Sequence, residues 1–286
     1  MPILEVDTLA RLDMAAVFDL LHGLARDGGT LSAVERPAGR QRWQEVVHPD
    51  GGRVQAVWLA RAERPDKLVR VELHDAEGRG PILLSGPGLT GLLALLGLAP
   101  PDAEPVEQAP GAARLAALEA WLDLRAFDIE GSHLGDPMLS GGPNDDEIRG
   151  GQYRDRIFAT AGGDDEIDGG QRLDRLFYEG GLDPVRGPVT VELHGRFVTK
   201  PGGGVDHFTQ VETLHLTRYA DRVFDGPRKG DVTVFMLGGD DVYRDRRDAD
   251  TVLYAGDGAD VMRLGGGRDQ AWGEGGEDLI FGGFGQ

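Results

Sequence analysis

From position 136 onward one short unit recurs: glycines or small polar residues, then an aspartate, then an apolar residue two positions later. GGPNDDEIR (Gly141 to Arg149) is the clearest copy, and AGGDDEID, LGGDDVYR, AGDGADVMR and GEGGEDLIF are others. The aspartates stand at 136, 146, 155, 165, 174 and 183, and again at 221, 231, 241, 250, 260, 269 and 278, nine or ten residues apart. Random low complexity does not keep aspartate and apolar residue in phase over such a distance. Two successive units make one coil of a solenoid, with a short strand and a tight turn on each side. Glycine serves turns that visit positive φ, and the apolar residues stack coil on coil.

Such a fold aligns the aspartates along its edges. Carboxylates one strand spacing apart, roughly 4.8 Å, repel one another unless a cation sits between the coils. The ligands on offer are oxygens, and the chain has no cysteine, so the cation indicated is calcium.

These units resemble the GGxGxDxUx nonapeptide of the RTX family, the hemolysin-type calcium-binding repeats that fold as a parallel β-roll. The resemblance covers about residues 127–286. The stretch between the two blocks, VTVEL (Val189 to Leu193) and GVDHFTQVETLHLTRYAD (Gly204 to Asp221), is similar to a family linker. The implied fold is mostly β: a small α+β N-terminal domain followed by a parallel β-roll, an RTX solenoid. In the family, aspartate side chains and turn carbonyls of adjacent coils share each ion. Carried onto this chain, the metal-site residues are Asp146, Asp165, Asp183, Asp241, Asp260, Asp269 and Asp278, with Gly142, Asn144, Gly163, Gly239, Gly258 and Gly276 supplying turn geometry or carbonyls.

The two edges differ in charge. The turns before Asp146, Asp165, Asp183, Asp241, Asp260 and Asp278 carry no basic residue. On the other edge Asp155 lies between Arg154 and Arg156, and Asp174 between Arg172 and Arg175. Asp231 follows Arg228 and Lys229, Asp250 follows Arg246 and Arg247, and Asp269 follows Arg268. This pattern predicts that arginine neutralises the second edge in place of calcium. Tyr153 and Arg172 also stand where a glycine would ease the turn. Asp221, near Arg218 and Arg222, fits neither set.

Glycine counts mark a boundary near residue 125: 13 in the first 130 residues against 32 in the remainder. The expected organisation is an α+β domain over 1–98, a Pro-rich linker with a capping helix over 99–126, and the roll over 127–286 with an irregular linker at about 185–220. Within the first domain, Leu9, Leu12, Ala16, Leu20 and Leu24 keep helical spacing over 9–26. Strands are expected at 30–36, 41–48, 53–62 and 67–74, with HPDGG (His48 to Gly52) as a hairpin turn, and PILLS (Pro81 to Ser85) as a further strand. LTGLLALLGL (Leu89 to Leu98) reads as a short buried helix. AARLAALEAWLDLR (Ala112 to Arg125) reads as a helix that covers the first coil of the roll.

Net charge is −19, from 49 acidic against 30 basic residues, which disfavours nucleic acid and anionic membranes and favours dissolved cations. No apolar run approaches the roughly 20 residues of a membrane span, so membrane insertion is not expected. The start, MPILEVDTLARLDM, lacks a basic segment followed by a long apolar core. The resemblance implies a protein that is secreted or at the cell surface, without an N-terminal signal peptide. The chain stops inside a repeat, at GGFGQ, where family members usually carry an export signal.

The sequence carries no familiar catalytic motif. No HExxH or GxSxG occurs, and there is no thiol nucleophile. Gly86, Gly88 and Gly91 spell GxGxxG, but the preceding strands read as a meander and prolines follow where a nucleotide fold needs a returning strand. The indicated function is a calcium-binding, non-catalytic extracellular or surface protein, with the roll as a stalk or platform and the N-terminal domain for attachment or recognition. Its partners beyond calcium would be a cell-surface polysaccharide or another surface protein. The alternatives are an adhesin or spike that recognises cell-surface polysaccharide, and a polysaccharide lyase or epimerase carrying a β-roll module.

Overall fold

The computed structural model describes residues 3–6, 14–34, 41–59, 67–74, 82–85, 89–96, 98, 111–123, 126–131, 135–136, 138–181, 183–226, 232–245 and 250–284. They divide into two compact units, Met1–Leu134 and Gly135–Gln286.

The first unit begins with strand β1 (Ile3–Val6) and helix α1 (Met14–Asp27), followed by β2 (Thr30–Val34), β3 (Gln41–Val47), β4 (Arg53–Leu59), β5 (Lys67–His74) and β6 (Ile82–Ser85). Helices α2 (Leu89–Leu95) and α3 (Gly111–Asp123) and strand β7 (Asp128–Glu130) complete it. The sheet order is β2-β3-β4-β5-β6-β1-β7, antiparallel up to β1, which pairs in parallel with β7. The meander follows from local chemistry: at HPDGG the His48 N–H donates to Gly52 O at 2.8 Å, and Asp50 Oδ1 accepts from Gly52 N–H. The half-buried His48 sits between Asp50 (2.8 Å) and Asp27 (3.5 Å).

One stripe of α1 (Val17, Leu20, Leu21, Leu24) and one of α3 (Leu118, Trp121, Leu122) are buried, and Arg114 Nε donates to the Ala25 carbonyl at 3.0 Å. That bond uses a carbonyl the end of α1 leaves free. The expectations for residues 9–13, the prolines of 99–110, and Gly86 and Gly88 fall outside the described residues. Strands β1 and β7 were not anticipated.

The second unit is a parallel β-solenoid of two facing sheets. One holds seven strands in the order β22-β20-β18-β16-β12-β10-β8: β8 (Leu139–Ser140), β10 (Arg156–Phe158), β12 (Arg175–Phe177), β16 (Thr213–His215), β18 (Thr233–Phe235), β20 (Val252–Asp257) and β22 (Gln270–Gly275). The opposite sheet holds β9 (Glu147–Arg149), β11 (Glu166–Asp168), β13 (Thr190–Glu192), β14 (Phe197–Thr199), β15 (Val205–Thr209), β17 (Arg222–Asp225), β19 (Val242–Asp245), β21 (Val261–Arg263) and β23 (Leu279–Phe281). Its order is β9-β11-β15-β14-β13-β17-β19-β21-β23. The chain alternates between sheets strand by strand except at β13-β14-β15, an antiparallel meander lying wholly in the second sheet. The neighbours of that meander, β11 and β17, pair with it in parallel.

Most of these strands are three residues long with the central side chain buried, as period-two alternation requires. Ile148, Ile157, Ile167, Leu176, Val191, Leu214, Val223, Val234, Leu253 and Met262 form the dry interior. Glycine is required where turns stack: at Gly239 (φ 105°) an added Cβ would lie 2.7 Å from Ala220 N. Arg172 adopts φ 92° despite its side chain, a costly conformation for a non-glycine residue.

On the outer face of the seven-stranded sheet, Phe158, Phe177, His215, Phe235, Tyr254 and Trp272 stack ring on ring, with centroids 4.4 to 4.8 Å apart. This continuous column crosses from the first repeat block to the second at Phe177–His215.

Candidate metal centre

The turns that leave the seven-stranded sheet end in an aspartate, apart from the one after β12 that enters the meander, and from Asp165 onward its side chain reaches back one coil. The Asp146 N–H donates to Asp165 Oδ1 (3.0 Å) and the Asp165 N–H to Asp206 Oδ1 (3.2 Å). Beyond the meander, Val189 N–H donates to Asp221 Oδ1 (2.7 Å), Asp221 N–H to Asp241 Oδ1 (2.7 Å), Asp241 N–H to Asp260 Oδ1 (2.8 Å) and Asp260 N–H to Asp278 Oδ1 (3.1 Å). The opposite edge repeats the device: Asp136 N–H to Asp155 Oδ1 (2.6 Å), Asp155 N–H to Asp174 Oδ1 (2.8 Å) and Asp174 N–H to Glu212 Oε2 (2.8 Å). One carboxylate oxygen per coil is thus spent satisfying a buried amide.

The second oxygen decides what each position can bind. Oδ2 of Asp155, Asp174, Asp241 and Asp260 and Oδ1 of Asp269 are buried without a hydrogen-bond partner. Burial pushes the Asp155 and Asp174 carboxyls up to about 7, helped at Asp155 by the charges of Asp136 and Asp174 and at Asp174 by Glu212 and Asp168. Burial pushes Asp241 to about 9, with Asp221 and Asp260 adding to it, and it raises Asp260 and Asp269 as well. A buried carboxylate with an orphaned oxygen needs a proton or a cation. Among the described residues no three His, Asp or Glu side chains converge. An ion here must therefore complete its shell with turn carbonyls, an all-oxygen set that suits calcium.

The structure places the anticipated residues unevenly. Gly239, Gly258 and Gly276 stack in consecutive turns above Asp241, Asp260 and Asp278 on one edge, and an added Cβ at Gly258 or Gly276 would strike the carbonyl of the glycine before it. In the first block Gly163 lies against Asn144 in the same way. Asp146 Oδ2 accepts from Gly142 N–H at 2.5 Å. Asp269 lies on the opposite edge. Asp183 is exposed and outside the ladder; Asp206, on β15, takes its place above Asp165.

Asp206 and Glu212 were missed as ladder members, and Asp221, counted in the series, had been assigned to neither edge. Each keeps the signal of an acid two residues before an apolar core residue: Phe208, Val223 and Leu214. Asp221 Oδ2 also accepts from Thr217 N–H at 2.9 Å, so it has no oxygen to spare.

Two further expectations change. Strand register puts Thr251, not Asp250, in the ladder position of the second edge, and Asp250 Oδ1 accepts from Arg268 N–H one residue out of step. Asp231, Arg228, Lys229, Arg246 and Arg247 lie outside the described residues. Arginine does not neutralise Asp155 and Asp174: no ion pair among the described residues reaches them, and the Arg156 guanidinium lies 5.4 Å from the Phe158 ring centre and 5.0 Å from that of Phe177. Arg156 thus points outward on the strand face, where rings are its nearer partners.

The profile of the RTX calcium-binding nonapeptide repeat matches this chain in four copies, over residues 140–176, 237–271 and 254–286. A comparison with curated proteins gives no match. The matched stretches coincide with the stacked turns and aspartate ladders of both blocks, so the second unit is a parallel β-solenoid that carries RTX calcium-binding nonapeptide repeats.

Proposed function

We propose that this protein acts outside the cell or at its surface as a non-catalytic, calcium-stabilised stalk or platform, with its first unit serving attachment or recognition. The observation that carries this reading is the two rows of buried aspartates, one along each edge, with one oxygen committed to the backbone and, at Asp155, Asp174, Asp241 and Asp260, the other without a partner. Such a roll is held together by an ion that is plentiful outside cells, at the millimolar level where extracellular calcium modules bind. The acidic surface supports a role among dissolved cations rather than on nucleic acid. Among the described residues no helix is long and apolar enough to cross a membrane.

Where the cells that make the protein are fractionated, it is expected in the medium or on the cell surface, where protease added to intact cells removes it. Chelation of calcium is expected to loosen the second unit in place. Recovery of the folded protein from the cytosol alone would overturn the surface role. A glycan-binding screen run beside turnover assays on uronate polymers, with and without calcium, separates attachment to polysaccharide from catalysis on it.

A further inference from the structure

Lys200, at the end of β14, is an anomaly in this roll. Its side chain is fully buried, and its ammonium lies inside the first edge, at the step between β11 and β15. Nζ donates to the Gly162 carbonyl (2.6 Å) and meets Asp206 Oδ1 (2.6 Å) and Asp165 Oδ2 (3.3 Å). These partners are two ladder carboxylates from adjacent coils and one turn carbonyl. The calcium reading asks the ion to use the same donor set elsewhere on this edge.

The bond count is complete here. Asp165 Oδ1 accepts from Asp146 N–H, Asp206 Oδ1 from Asp165 N–H and Asp206 Oδ2 from Tyr178 Oη. Neither aspartate has an orphaned oxygen, in contrast to Asp241 and Asp260 on the same edge. The backbone fixes the lysine in place: Lys200 N–H donates to Gly204 O at 2.7 Å, and Gly203 N–H donates to Lys200 O at 3.0 Å. An ammonium is a compact point charge with three donors, a fair substitute for a cation among three oxygens. Calcium bound to the same oxygens, at about 2.3–2.6 Å, would share a buried space with a positive charge.

We propose that Lys200 is a built-in cation that occupies one calcium position of the roll and excludes the ion from the Asp165–Asp206 step. This rests on the calcium reading of the other turns. It makes the step where the antiparallel meander joins the first block independent of calcium.

Two experiments test it. Anomalous diffraction from the full chain in millimolar calcium is expected to show ions at the Asp241–Asp260 turns and none in contact with Asp165 Oδ2 or Asp206 Oδ1. An ion at both places overturns the role of Lys200 and leaves the calcium reading standing; no ion anywhere overturns both. In calorimetry, Lys200→Met is expected to bind one more calcium per chain than the unaltered protein. In EGTA the Asp146 and Asp165 amides should exchange at least tenfold faster in the variant, with calcium restoring their protection. Equal stoichiometry with equal exchange would overturn the proposal. If the variant does not fold even in calcium, the diffraction result on the unaltered chain decides.

Discussion

The backbone N–H of Asp241 donates to Oδ1 of Asp260 at 2.8 Å, one coil further on, while Oδ2 of that Asp260 is buried with no hydrogen-bond partner. One side chain thus does two jobs, and they can be separated. The inner oxygen is structural and neutral in its demand. The outer one needs positive charge.

Calcium should govern folding of residues 135–286. An ion that binds only the folded state adds RT ln(1 + [L]/Kd), about 2.7 kcal/mol per independent site at a hundredfold excess over Kd. Circular dichroism in EGTA is expected to lose β signal, which calcium restores and magnesium does not, because magnesium demands tighter octahedral geometry than paired turns offer. A melting curve indifferent to EGTA would contradict this.

Asp241→Asn and Asp241→Ala should part company. Asparagine keeps an oxygen for the Asp221 N–H. In EGTA its melting point should stay near that of the unaltered chain, and the gap should open only as calcium is added. Alanine leaves that buried amide unpaired, costing about 1–3 kcal/mol in either condition. Equal behaviour of the two variants in EGTA would mean the ladder bond contributes little.

Without calcium, acid should stabilise the roll. Asp155 and Asp174 hold their protons up to about 7 when folded and would lose them at an ordinary carboxylate value, 3.8, when unfolded. The folded state therefore binds more protons between those values. This contribution is fully present below pH 3.8 and is lost as pH rises through 7. Thermal melts in EGTA should show a higher midpoint at pH 5 than at pH 8, with saturating calcium narrowing the difference. A midpoint that rises with pH in EGTA would count against buried, unpaired carboxyls.

His215 has the opposite sign. Burial, then the charges of Arg175 and Arg156, hold its pKa at about 4 against 6.5 for a free imidazole. The neutral ring is the folded form, so its contribution is whole above pH 6.5 and lost as pH falls towards 4. His215→Phe keeps the stack with Phe177 and Phe235 and removes the titration. With both proteins in EGTA, the melting point of the variant should gain on that of the unaltered chain between pH 6.5 and 4.5. A constant difference over that range would place His215 outside the stack in solution.

The roll was legible in sequence because glycine, aspartate and apolar residue answer to three separate constraints with one period. The hairpin at His48 to Gly52 was legible for a similar reason, since turn residues stood between alternating strands. What escaped was set by long-range pairing. β1 is four residues whose partners are β6 and β7, far along the chain. Asp206 and Lys200 enter the first edge only because β13, β14 and β15 fold back within one sheet, and no local pattern announces that pairing. Asp183 shows the converse: it has the right spacing, yet the chain at 178–188 departs to begin the meander and leaves it exposed. The arginines of the second edge misled because sequence adjacency does not fix side-chain direction. In a strand, neighbours point to opposite faces, and Arg156 turns to the rings instead.

The meander also gives the two broad faces of the roll unequal length. Among the described residues nine strands line one and seven the other, a surplus of two spacings, about 10 Å. The two blocks therefore keep step along the seven-stranded sheet, where β12 pairs directly with β16, and are parted by the meander along the other. The ring column runs along the face that keeps step, a spine the two blocks hold in common while the opposite face changes rhythm between them.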